Sequence, residues 1–297
     1  MTSSLQASQA DLADAPPPVK RGANWPFIGN IAAIALIVVW CLAPFYWMFV
    51  MSIRDKGDSY DTTLYPNHFT LANYRFAFNT TYNHFGRSLV NGIIIGGCVT
   101  IIALAIGVFA AYALARLQFR GKFLILGVVL VASMFPQVAL LTPLFQLFTD
   151  WHLLGTYQGL ILPQISFSLP LCVFILTSFF TDMPWELEQA AKVDGATPGQ
   201  AFRLVIFPLA APALFTTAIL VFLGSWNEYL LTSQLYQQND NVATPTVALA
   251  KFTAGPHIVP YTQTMAAGVV ITVPLVLVVL LFQRRIVSGL TAGGVKG

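Results

Sequence analysis

The chain has 297 residues, of which 56% are hydrophobic and only 9% charged, with a mean hydropathy of +0.70. A soluble globular chain carries roughly 25% charged residues, so this one lacks the polar surface of a soluble monomer and its main solvent must be lipid. The formal net charge of +3, from 15 basic and 12 acidic side chains, is too balanced for a nucleic-acid binder.

Residues 1–24 are rich in Ala, Ser, Asp and Pro, with Lys20 and Arg21 near their end. They read as a disordered cytoplasmic tail rather than a cleavable signal, because the apolar run that follows is too long. A helix rising about 1.5 Å per residue needs about 20 apolar residues to cross the hydrocarbon core. Six stretches meet that length, roughly 27–52, 88–116, 123–148, 155–180, 203–235 and 262–283. They predict one all-α integral membrane domain over 25–285, followed by a cytoplasmic tail at 286–297.

Prolines 136 and 143, 163 and 170, 208 and 212, and 274 interrupt four of these stretches. Such breaks are tolerated where neighbours or a water-lined cavity satisfy the freed carbonyls, so their number favours a bundle with an interior pathway. In the second stretch Gly92 and Gly96 have the spacing of a close-packing motif, which ordinary glycine frequency also produces. Cys41, Cys98 and Cys172 lie within apolar runs and read as small hydrophobes, not as a disulfide or metal framework.

Six crossings place both termini on one side, and basic residues select that side. Lys20, Arg21, Arg116, Arg120, Lys122, Lys192, Arg203, Arg284, Arg285 and Lys296 fall on one face, ten in all, against five on the other (Arg54, Lys56, Arg75, Arg87 and Lys251). The face with ten should be cytoplasmic. The outer face then holds a segment at 54–86, a turn near Asp150 to Leu154 and a loop at about 236–261.

Catalytic patterns are missing. No phosphate-binding loop occurs, since Gly121-Lys122 lacks the upstream glycine and the following hydroxyl. The four histidines (His68, His84, His152 and His257) are scattered over outer segments, and no metal site is expected. Glu228 is the one carboxylate inside a predicted span. It is either a pathway group, with Asn227 beside it, or an interfacial residue just beyond an earlier helix end.

The inner segment 181–202 carries the most information. Pro184 suits a first helical position and Gly195 a stop, predicting a helix of about three turns over 184–195. Thr197, Pro198 and Gln200 form a capping-box start for a second helix that leads through Phe202, Val205 and Ile206 into the fifth span. Leu187, Ala190, Ala191 and Asp194 share one face, small and smooth enough to lie in a partner's groove. A polar linker helix steadied by Glu188 and Lys192 at i,i+4 is the other reading.

Gln189-Ala190-Ala191, Asp194-Gly195-Ala196, Phe202, Ile206, Pro208 and Pro212 resemble the "EAA" loop of ABC importer permeases. The run from Gln283 to Gly297 resembles the tail of the second permease subunit of maltose-type importers, and the likeness covers essentially the whole chain. It implies a six-helix type I importer bundle with both termini cytoplasmic, in a bacterial inner membrane, serving a maltose- or trehalose-class sugar. Another solute such as glycerol-phosphate is an alternative, and a stand-alone secondary carrier is a further one. The resemblance also implies partners: a second homologous permease chain, two ATPase subunits that carry ATP and Mg, and an extracytoplasmic sugar-binding protein. No cofactor is expected on this chain.

Coupling to the ATPase would involve Glu188, Gln189, Ala190, Ala191, Asp194 and Gly195, and the tail residues Gly293, Gly294 and Lys296 would reach the same subunits. Lys251, Phe252, Gly255, Pro256 and His257 would approach the binding protein. One departure stands out: the family usually has glutamate where this chain has Gln189. Glu188 points about 100° away around the helix and is no simple replacement.

Overall fold

The structure, a computed structural model, describes residues 25–79, 84–254 and 261–292. The predicted tail 1–24, residues 255–260 of the outer loop and residues 293–297 lie outside the described residues. Among the described residues the protein is helical, apart from one antiparallel bridge between Arg54 and Phe69. It divides into two compact units, the first ending at Trp47 and the second starting at Met48.

The first unit is, in its described part, the leading portion of helix α1 (Trp25–Ser52), which carries no charged side chain and contains Pro44. The second unit is organised around α3 (Phe85–Arg116) and α6 (Tyr157–Asp182), with the short α2 (Ala72–Ala77) preceding α3. α3 and α6 run parallel, as their contacts ascend together. Tyr157 Oη donates to Asn91 Oδ1 at 2.7 Å, Cys172 Sγ lies 3.5 Å from the Ala103 carbonyl, and Arg116 Nη2 donates to the Met183 carbonyl at 2.9 Å. The chain between Arg116 and Tyr157 must therefore return the full height of the pair.

It does so through α4 (Lys122–Ser133) and α5 (Gln137–Asp150), which meet at 88°. The third expected span is thus not one straight helix. Pro136 lacks an amide hydrogen and forces Phe135 away from helical backbone, which ends α4 and lets α5 restart at a new angle. A second bend of 68° separates α8 (Pro198–Leu209) from α9 (Ala211–Trp226). Pro208 and Pro212 each delete a helical donor, so the carbonyls of Leu204 and Pro208 lose their usual partners, and α8 contains a π-helical stretch at Phe202–Ile206.

The fifth span also ends sooner than its expected limit of 235. α9 stops at Trp226, the chain breaks, and a six-residue helix α10 (Leu230–Leu235) follows. Part of the expected outer loop is helical as well, as α11 (Pro245–Ala254). The last helix α12 (Tyr261–Ala292) continues beyond residue 285, where a tail was expected. Among the described residues four helices are long and apolar enough to cross a membrane, or up to six if each bent pair counts as one.

α9 packs antiparallel to α3, and the two glycines of α3 explain how closely. A Cβ on Gly92 would lie 2.8 Å from Pro245 and 3.0 Å from Trp226, and one on Gly96 would lie 3.0 Å from Phe222. The Gly92 and Gly96 spacing is therefore a packing motif in this chain. Of the three free thiols, Cys172 is fully buried and fills the space beside Gly107, as a small hydrophobe would. Among the described residues no group of His, Cys, Asp and Glu could hold a metal ion.

Candidate functional site

The turn between α6 and α8 projects helix α7 (Glu186–Val193). It is shorter than the expected 184–195: Pro184 precedes it, and Trp185 is its N-cap. Its end forms as expected. Gly195 has φ +88, its amide donates to the Lys192 carbonyl at 3.1 Å, and the Ala196 amide donates to the Ala191 carbonyl at 2.9 Å. This Schellman arrangement requires a left-handed residue, which glycine adopts without steric cost. The capping box also forms. Thr197 N donates to Gln200 Oε1 at 2.8 Å, and Gln200 N donates to Thr197 Oγ1 at 3.3 Å, with Pro198 at the first helical position. Two helices thus meet in a tight, fully specified elbow.

The faces of α7 differ from the expected pattern in two residues. Glu188 is 4% exposed and Ala191 is 9% exposed, so both face the protein interior. Leu187, Gln189, Ala190, Val193 and Asp194 are exposed. The outward face therefore runs through Leu187, Ala190, Val193 and Asp194, with Ala191 turned inward. Glu188 pairs with Lys192 at 2.9 Å across one turn, which shields its charge within the chain.

The elbow is fastened to the ends of α3 and α6. The buried guanidinium of Arg116 stacks over Trp185 at 5.3 Å while donating to the Met183 carbonyl, and Lys192 lies over the same ring at 5.9 Å. The Trp185 ring is itself exposed, and cation–π contacts at such sites contribute about 0.5–1 kcal/mol each. Below them the Phe202 ring sits 4.7 Å from Tyr112 and 5.7 Å from Phe109, and Tyr112 meets Phe180 edge-on at 5.9 Å. This cluster ties the π-helical stretch of α8 to both long helices, so the elbow is packed against α3 and α6.

Glu228 lies in the break after α9, which ends at Trp226, and its carboxylate has a task there. Oε1 accepts Leu231 N at 2.7 Å, and Oε2 accepts Thr232 N at 3.0 Å and Thr232 Oγ1 at 2.6 Å, so Glu228 caps α10. Its carbonyl accepts Thr246 Oγ1 at 2.8 Å. The same residue lines a cavity of about 180 Å³ together with Gln137, Gln164, Phe167, Ser168 and Ser225. Inside it Ser225 Oγ donates to Gln164 Oε1 at 2.5 Å, and Gln164 Nε2 lies 3.5 Å from Thr232 Oγ1. Asn227 is not among the lining residues; its amide donates to the Leu223 carbonyl at 2.8 Å. Sequence reasoning missed Gln164 and Ser225, single polar residues 61 positions apart.

At the opposite end of the bundle from the elbow, Phe252 is 2% exposed and stacks edge-on with Phe76 at 6.3 Å and Phe85 at 5.8 Å. It is a core residue, not a surface contact. Lys251 pairs with Asp240 and covers the Tyr236 ring at 5.2 Å. Gly255, Pro256 and His257, like Gly293, Gly294 and Lys296, lie outside the described residues. Arg54, predicted only as an outer cation, is fully buried and organises its segment. Its guanidinium donates to the carbonyls of Asp61, Thr63 and Tyr65, the last at 3.0 Å, while the Arg54 and Ser52 carbonyls accept Asn73 Nδ2 at 2.7 and 2.9 Å.

Comparison with known proteins agrees with this geometry. Residues 103–291 match the family described as "Binding-protein-dependent transport system inner membrane component". The chain is 48% identical over 279 residues to the trehalose transport system permease protein SugB of Mycobacterium tuberculosis, covering 94% of this chain and 99% of that one. It is 40% identical over 267 residues to the trehalose/maltose transport system permease protein MalG of Thermococcus litoralis, covering 90% and 95%. A crystal structure of a bacterial ABC transporter involved in the import of the acidic polysaccharide alginate has the same fold, with a TM-score of 0.73 at 21% identity over 91% of this chain and 99% of that one.

Proposed function

The chain belongs to the binding-protein-dependent transport system inner membrane component family, and from that premise we propose that it forms half of the translocation pathway of an ATP-driven importer for an α-glucoside sugar of the trehalose or maltose class. Permeases of this family are multi-pass inner-membrane subunits without catalytic activity of their own; ATP is bound and hydrolysed by a separate ATPase, and solute arrives on a binding protein. The sugar class rests on the transport names carried by the SugB and MalG relatives.

The coupling step falls to α7. Its outward face at Leu187, Ala190, Val193 and Asp194 seats in a cleft of the ATPase, with Gln189 offering an uncharged hydrogen bond beside it. ATP-driven closure of two ATPase subunits moves the elbow, and the Arg116, Trp185 and Phe202 contacts carry that motion into α3 and α6. A rigid connection is what the role demands, because a hinge at this point would dissipate the displacement. The second permease chain, homologous to this one, completes the pathway.

Six crossings with both termini cytoplasmic is the topology we adopt. The parallel course of α3 and α6 supports counting the α4 and α5 pair as one crossing, and the ten-to-five division of basic residues supports an elbow on the inner side. On this topology Lys251 lies at the binding-protein face, and Gly293, Gly294 and Lys296, which lie outside the described residues, belong to the ATPase side. The observation that carries the proposal is that Glu188 and Ala191 face inward while Ala190 faces out from a braced, projecting helix. Replacing Ala190 with Trp should abolish sugar-stimulated ATP hydrolysis and uptake while membrane insertion stays normal. Uptake that survives Ala190→Trp would refute the docking role.

A further inference from the structure

We propose that the cavity bounded by two helix breaks is a saccharide subsite within this chain, where Gln137 and Ser168 hydrogen-bond sugar hydroxyls and Phe167 supports the apolar face of one ring. The inference deepens the proposed function and rests on its sugar class.

Three observations support it. First, the cavity touches two of the three interruptions of the helical bundle among the described residues. Gln137 is the first residue of α5 after the 88° bend, and Glu228 lies in the break after α9. Interrupted backbone persists inside a membrane protein only where it is buried in protein or lines a hydrated cavity, so two independent breaks on one cavity mark it as a place where polar solute fits.

Second, its polar groups divide into two kinds. Gln164, Ser225 and Glu228 are held by one another and by the α10 amides. The side chains of Gln137 and Ser168 have no hydrogen-bond partner among the described residues, although both line the cavity. A fixed polar wall facing two unclaimed donor–acceptor groups and an aromatic ring is the make-up of a small-ligand site.

Third, the lining selects against charge. It includes no Lys, Arg or His to hold a phosphate or carboxylate, and Glu228 repels anions. The carboxylate is itself occupied by three donors, which leaves little for a cation. A neutral polyhydroxyl ligand meets these terms. At about 180 Å³ the cavity is of the order of six waters at about 30 Å³ each, room for one monosaccharide unit rather than a whole disaccharide.

The test uses the complete importer, with ATPase and binding protein, reconstituted in proteoliposomes with radiolabelled trehalose and maltose. Gln137→Ala and Ser168→Ala should each lower uptake roughly five- to tenfold, the effect of one lost hydrogen bond. Binding-protein-stimulated ATP hydrolysis should stay within about twofold, so sugar moved per ATP falls. Ser168→Trp, which fills the space, should stop uptake with the same hydrolysis retained. Normal uptake in the Gln137→Ala, Ser168→Ala double variant overturns the subsite, and so does a proportional loss of uptake and hydrolysis, which marks a coupling defect. A wild-type importer that moves neither sugar instead refutes the proposed function itself, and the subsite falls with it.

Discussion

Glu188 and Lys192 face each other at 2.9 Å across one turn of α7, with Glu188 4% exposed. The carboxylate next to the docking face thus serves the interior of its own chain, and Gln189 alone occupies the exposed position where the family usually places glutamate. Replacing Glu188 with Ala leaves Lys192 without its partner. Because Lys192 reaches solvent, the cost is about 1–2 kcal/mol rather than the full penalty of a buried unpaired charge. A lowered Tm of the detergent-purified protein, with reduced coupling of ATP hydrolysis to uptake, is the expected outcome.

Gln189→Glu should act in the opposite sense. Its side chain is exposed, so stability should not change, while a charge-assisted hydrogen bond to the ATPase is roughly twice as strong as a neutral one. The affinity of the permease for isolated ATPase should rise several-fold, and titration in detergent reads it directly. Weaker or unchanged binding would place Gln189 outside the interface.

Gly195→Val should open the elbow. At φ +88 a β-branched residue costs about 1–2 kcal/mol in backbone strain and disrupts the Schellman bonds that end α7. Uptake should collapse while insertion into the membrane continues. Gly195→Asn, which tolerates left-handed backbone, should retain most of the activity; if Val and Asn behave alike, the stop is not the reason glycine stands there.

Asn91 is fully buried and joins three segments, donating to the Asn241 and Ala243 carbonyls at 2.9 Å each while accepting from Tyr157. Asn91→Leu strands those groups in an apolar setting, at about 2–3 kcal/mol in total. Its Tm should fall well below that of Gln137→Ala, whose side chain has no protein partner to lose. Comparable melting of the two variants would contradict this account of the bundle end opposite the elbow.

The segment at 54–78 should show a pH signature. His68 lies 2.9 Å from Asp58, whose hydrogen bond and charge raise the His68 pKa above 6.5. The stabilisation is fully present below 6.5 and is lost as pH rises through the raised value. On the acid side, the Thr63 amide and hydroxyl hold the Asp61 pKa below 3.8, so that contribution is present above 3.8 and lost as pH falls through the lowered value. Limited proteolysis within 54–78 should therefore be slower at pH 6 than at pH 8, and His68→Gln should remove the difference.

Much of the elbow was legible in the sequence because its signals are local. The Thr197, Pro198 and Gln200 cap and the Gly195 stop are fixed by backbone chemistry within a few residues, and all formed. What escaped was tertiary. Nothing near Glu188 indicates that it turns inward and is buried, and Arg54 looks like any loop cation until three carbonyls converge on its guanidinium. Phe252 read as a surface residue because its aromatic partners, Phe76 and Phe85, come from distant helices. The prolines marked the bends, but their angles depend on which neighbours accept the freed carbonyls.

The central claim is that the outward face of α7 is covered by an ATPase, and site-directed labelling tests it most directly. A cysteine at Ala190, in a variant lacking Cys41, Cys98 and Cys172, should react readily with a membrane-impermeant maleimide in inside-out vesicles holding the permease chains alone. Assembly with the ATPase should suppress that reaction at least about tenfold, by burial of the thiol in a packed interface. Equal labelling before and after assembly, in complexes that still transport sugar when reconstituted, would contradict the account.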